Sequence, residues 1–202
     1  MHKALAQKKD FSVKKQSNKY HLRLNSIMFI SREKNLFFSQ NKEKDELVRL
    51  SSYGFLLFLV PILLSHQILV GVIVNALLIK AGLDHSLKKV ALLCLLPSLA
   101  VVSTGLLFGG LTSFLLWVMP FIWVSNFIIA YTSKKLFLSK GKNFFLSTAM
   151  ASIAKTIFLF ASVTILFLLG LVPVLFLTAF GIMQLATAQS GALIIGFLKL
   201  RK

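Results

Sequence analysis

Lys155 stands alone. It sits between Ala154 and Thr156 in a 56-residue stretch, 143–198, that carries no other formal charge. A lysine in so apolar a segment is costly to bury, and such residues face a protein interior or a cavity rather than hydrocarbon. No Asp or Glu occurs in any of the apolar stretches, so the chain offers it no formal counter-charge there. Three roles follow from its chemistry. It can meet an anionic substrate, lean on helix dipoles, carbonyls and hydroxyls, or be carried in its neutral form. A substrate site and a purely structural lysine both remain open at this point.

Other polar residues are set to join it. Gln184 falls at about the same depth in the next apolar segment, and Asn75 and Asn126 lie in two earlier ones. Taken singly, such amides act as glue between helices, worth about 1 kcal/mol each. Converging on Lys155, they would make a polar pocket of the transporter kind. His66 and Gln67 fall where the first apolar stretch is expected to break and are candidate substrate contacts at that turn. Ala188, Ala192 and Gly196 recur at four-residue spacing, the pattern that lets another helix approach closely, and Ser147 with Ala151 form a similar seam.

Catalytic chemistry finds little to work with. There is no HExxH, no Walker A sequence and no pair of carboxylates within the apolar stretches. The one cysteine, Cys94, excludes an internal disulfide and a thiolate-held metal or iron–sulfur cluster, and reads as a small buried residue. The chain is therefore expected to be no enzyme and to need no cofactor or metal.

The elements that position these residues are written in the composition. Of 202 residues, 56% are hydrophobic and only 14% are charged. Mean hydropathy is +0.80. The charges are clumped around three apolar blocks, at 50–79, 90–133 and 143–198. The net charge of +17 would suggest a nucleic-acid surface on a soluble chain. Here the lysines flank the apolar blocks, as in membrane proteins that fix their orientation with basic loops, and nucleic acid is an unlikely partner.

A span of the ~30 Å hydrocarbon core takes about 20 residues. The second and third blocks are each long enough for a hairpin, turning near Phe108-Gly109-Gly110 and near Gly170, with Pro173 in the first turn of the helix that follows. The first block is short for two spans. Its Pro61, Ser65-His66-Gln67 and Gly71 nevertheless suggest a break. Splitting it places all four basic clusters on one side, which is the positive-inside pattern.

The expectation is an all-α integral membrane bundle of six transmembrane helices in three hairpins, over 52–65, 67–81, 89–108, 111–132, 144–169 and 172–198. The first pair either spans fully or is partly re-entrant. Pro120 should kink the fourth helix. Residues 1–49 form a basic cytoplasmic arm with 12 Lys/Arg and 5 Asp/Glu, either disordered or lying on the bilayer interface through the apolar clusters at 22–24, 27–30 and 36–38. It lacks the pattern of a cleavable signal, and Met28 offers a second start. Residues 50–202 form the membrane domain.

Several stretches carry a resemblance: HQILVGVIVNALLI at 66–79, LLPSLAVVSTGLL at 95–107, MPFIWVSNFIIAY at 119–131, AKTIFLF at 154–160 and MQLATAQSGALIIGF at 183–197. They resemble a family of small bacterial membrane proteins that look like distant relatives of the substrate-binding S components of energy-coupling-factor transporters. Some members carry the label "iron hydrogenase", an activity that a lone cysteine argues against. The resemblance implies six helices around a pocket for a small-molecule solute near the outer face. It also implies docking to a transmembrane coupling subunit and ATPases. The first helix, YGFLLFLVPILL, departs from the AxxxA-like docking surface of S components. The competing function is a non-transport membrane assembly or scaffold protein acting through its basic arm.

Overall fold

The computed structural model describes residues 42–105 and 107–200. The interfacial or disordered character expected for the arm falls on residues 1–41 and lies outside the described residues, except that 42–49 are helical. By contacts the chain separates into two units, Met1–Val48 and Arg49–Lys202.

Among the described residues every regular element is helical. The helices are α1 (Lys42–Leu63), α2 (Gln67–Asp84), α3 (Leu87–Leu93), α4 (Leu96–Thr104), α5 (Thr112–Lys134), α6 (Phe144–Leu168), α7 (Leu175–Phe180) and α8 (Ile182–Leu200). A 3-10 turn at Gly109–Leu111 leads into α5, and a π turn at Lys135–Ser139 leaves it. Six segments are long and apolar enough to cross a membrane: α1, α2, α3 with α4, the 109–139 segment, α6, and α7 with α8.

The first hairpin obtains its length from an unexpected place. α1 is already helical at Lys42, the first described residue, ten residues ahead of the expected 52, so part of the expected arm is helix. With 22 residues in α1 and 18 in α2, both helices are long enough to cross fully. The break between them falls at 64–66, as the Ser65-His66-Gln67 cluster suggested.

Two further expectations are corrected. The third and sixth spans are each broken rather than continuous. The third divides at Cys94-Leu95, just ahead of Pro97 in the first turn of α4. Proline removes one backbone donor and its ring crowds the carbonyl four residues back. The sixth divides at Gly181, whose φ of −98° and ψ of −105° leave the helical region. A Cβ at that position would stand 2.6 Å from the Leu177 carbonyl oxygen. Pro173 lies ahead of α7, not in its first turn. Pro120 sits inside α5, which runs through it without interruption.

Contacts within the second unit bring the basic loops to one end. The Tyr53 hydroxyl donates to Asp84 at 2.7 Å, and Lys80 pairs with the same carboxylate at 2.7 Å. Lys134 donates to the His85 carbonyl, joining the loop after α2 to the end of α5. Phe145 at the start of α6 packs edge-on against Phe197 near the end of α8, with ring centroids 6.5 Å apart. The turns at the other end carry no lysine or acid. There Phe108 stacks on Phe176 and Phe180 at 5.4 and 6.1 Å. Gly170 turns the chain with φ +71°, a region open to glycine.

α6 turns its polar side chains inward, among apolar ones such as Leu159 and Val163. α6 buries Ser147, Thr148, Ala151, Ser152, Lys155 and Ser162. It exposes Ile153, Ile157, Phe160, Ile165 and Leu168. Ala188 and Ala192 are buried as the small-residue pattern required, and a close backbone approach lies beside them at Gly191. A Cβ there would stand 2.7 Å from the Val72 carbonyl oxygen and 2.8 Å from the Ala76 amide nitrogen of α2. Gly196 plays the same part against the ring of Phe145 in α6.

Candidate functional site

α6 satisfies most of its hydroxyl residues on its own backbone, Thr156 excepted. Ser147, Thr148, Ser152 and Ser162 each donate to the carbonyl four residues earlier on their own helix. Such back-bonds let polar residues sit in an apolar helix without a tertiary partner. Lys155 is too long for this, and its side chain reaches across the bundle.

Lys155 is 1% exposed. Its Nζ donates to Asn75 Oδ1 on α2 at 2.6 Å and to Asn126 Oδ1 on α5 at 2.8 Å. A lysine ammonium can only donate, so both amides must turn their oxygens toward it. Their nitrogens then face outward. Asn75 Nδ2 donates to the Thr187 hydroxyl on α8 at 3.3 Å, and Thr187 donates to the Gln184 carbonyl at 3.2 Å. Asn126 Nδ2 donates to the Cys94 carbonyl at 3.2 Å, at the break between α3 and α4. One hydrogen-bond chain thus joins five of the six apolar spans, all but α1.

Beside this chain lies a cavity of about 100 Å³. Lys155, Asn75, Asn126 and Thr187 line its polar wall, with Gln67, Ser98 and Gln184. The rest is apolar, including Val74, Val101, Leu115, Ile122, Phe180 and Met183. Its lining extends to Gln67 and Ile68 at the start of α2 and to Leu107 and Phe108 ahead of α5. All of these belong to the end of the bundle without basic residues. The cavity therefore runs from that end to Lys155. Both helix breaks border it: Pro97 and Ser98 follow one, and Ala179, Phe180 and Met183 flank the other.

Five of the six polar residues singled out from the sequence meet here: Lys155, Asn75, Asn126, Gln184 and Gln67. Gln184 lines the cavity without bonding to Lys155. His66 does not join them. It is exposed, ahead of the first turn of α2, and is absent from the cavity wall.

Thr187 and the Cys94 carbonyl were not foreseen. A single threonine beside small residues is ordinary in an apolar helix, so Thr187 carried no signal. The Cys94 carbonyl is backbone, and no side chain in the sequence marks it as an acceptor. Ser98 is a further addition: its hydroxyl accepts from the Trp123 indole at 2.6 Å and donates to the Leu95 carbonyl at 3.0 Å.

Arithmetic of donors defines what the site can still do. Two of the three tetrahedral positions on Nζ are taken by amide oxygens, which leaves one for an occupant of the cavity. Among the described residues, the side-chain amides of Gln67 and Gln184 make no hydrogen bond, so each brings free donors to the wall. Compared with known proteins, the chain matches no family model, no curated protein and no solved structure.

Proposed function

We propose that this protein is a multi-pass integral protein of the cell membrane that binds a small solute for uptake, in the manner of an S component. Both termini lie on the cytoplasmic side. One observation carries the reading: a cavity enters from the uncharged end of the bundle and stops at Lys155, a buried cation with a donor to spare. Basic loops gather at the opposite end, which the positive-inside rule assigns to the cytoplasm. The cavity then faces outward, as a receptor for an external solute requires. The broken third and sixth spans add support, since membrane carriers place helix breaks where backbone lines a binding site. Energy would come from a separate coupling subunit and ATPases, because the chain has no nucleotide motif of its own.

The deciding experiment is a thermal-shift screen of the purified full chain against a collection of small metabolites. It is run in parallel on Met183→Trp, which fills the cavity. A solute should raise the melting temperature of the wild type and leave the variant unmoved. Shifts of equal size in both, or no shift with any solute, would sink the reading. Truncating residues 1–41 separates it from a scaffold role: a receptor keeps its solute, whereas a scaffold acting through the arm loses its membrane or protein association. Orientation is read by single-cysteine labelling in a Cys94→Ala background. Positions 109 and 170 should react from outside the cell and position 140 only from inside.

A further inference from the structure

The cavity is more particular than the word solute conveys. Of its lining residues only Lys155 bears a formal charge, and no carboxylate touches it. Its two bonded partners are neutral amides. A cationic occupant would meet an ammonium with nothing to balance it. A phosphate dianion would bring two charges to a single lysine. A sugar would leave most of its hydroxyls against Val74, Val101, Leu115 and Ile122. The volume sets a further limit, since about 100 Å³ is smaller than the ~150 Å³ cavity that holds benzene.

We propose that the cavity takes a small monocarboxylate with a compact apolar body. The carboxylate takes the open position on Lys155 Nζ and the free amide of Gln184. The apolar body lies against Ile122, Phe180 and Met183. This rests on the solute-binding reading above and names its ligand class. A ligand of this kind also resolves the oddest feature of the chain, a buried lysine with no acid in any apolar span.

The test uses matched probes on the full-length protein in nanodiscs: butyrate, butyramide, butylamine and inorganic phosphate. Radiolabelled butyrate should bind, and neither butylamine nor phosphate should displace it. Butyramide, the neutral counterpart of similar shape, should bind about 10- to 100-fold more weakly, the range for a hydrogen bond to a charged group. Lys155→Met should weaken butyrate more than butyramide, which brings no charge to the lysine. Should Lys155→Met fail to fold, Gln184→Leu serves in its place and should weaken butyrate more than butyramide. Met183→Trp should abolish both.

Butyramide or butylamine binding as tightly as butyrate overturns the carboxylate assignment and leaves solute binding standing. So does displacement by phosphate, or failure of every probe when the metabolite screen still yields a cavity-dependent hit. Failure of both the probes and the screen overturns the two together.

Discussion

The two ends of the bundle solve opposite problems. At the basic end, helices meet through glycine and through aromatic edges. Gly82 lies against the Ala130 backbone, and Phe137, Phe144, Phe145 and Phe197 form a run of ring contacts, while Gly191 closes on α2 at the depth of Asn75, where the packed half begins. At the uncharged end the helices break and a cavity opens between them. The same chain is therefore closed where its lysines gather and open where it has none. Lys155 sits at the border, with two bonds into the packed half and one position left for the cavity. The contrast teaches that the lysine is a strut that also lines the cavity. Its bonds to Asn75 and Asn126 hold the open half to the closed one.

The comparison predicts unequal sensitivity. The largest effect is expected at Gly191→Leu, where the added atoms meet the α2 backbone and not a flexible side chain. It should cost about 3 kcal/mol, seen as a large drop in melting temperature or in yield of monodisperse protein. A Gly191→Leu variant as stable as wild type would break the idea of a closed end. Next comes Lys155→Met. It leaves two buried amide oxygens without a donor and should cost about 2 kcal/mol in thermal unfolding. A double-mutant cycle with Asn75→Leu should recover about 1 kcal/mol of that as coupling. Additive losses would show that the strut carries no load.

The open end should be more forgiving. Gly170→Ala should cost about 1 kcal/mol, because its φ is positive while nothing crowds the site. Gly110→Ala should stay within about 0.5 kcal/mol of wild type, as it has open space and no positive φ. Equal losses at the two positions would show that the turn packs more tightly than its geometry indicates.

The outcome also shows how far the residues could be read in advance. Lys155, Asn75 and Asn126 were legible because polar groups in long apolar runs are rare and must find one another. The hairpin turn at Gly170 and the break before Gln67 were legible because glycine and clustered polar residues punctuate such runs. The helix over 42–51 was not, since charged residues read as arm whether or not they are helical. The breaks at Cys94 and Gly181 were hidden for a different reason. Hydropathy measures how apolar a segment is and is blind to whether its backbone is continuous. Thr187 was hidden because its value lies in where Asn75 points, a tertiary fact.

The order of the network along the chain has a consequence for synthesis. Asn75 and Asn126 both precede Lys155, whereas Thr187 follows it. When α6 leaves the ribosome, its two amide acceptors have already been made. A lysine at the centre of an inserting helix costs about 2.5–3.5 kcal/mol. α6 is also the most hydrophobic of the six spans, with a hydropathy of 2.0. In a bilayer, the greasiest segment would thus carry the charge to partners waiting for it. The last span, arriving with Thr187, would then only have to fasten an assembly already drawn together.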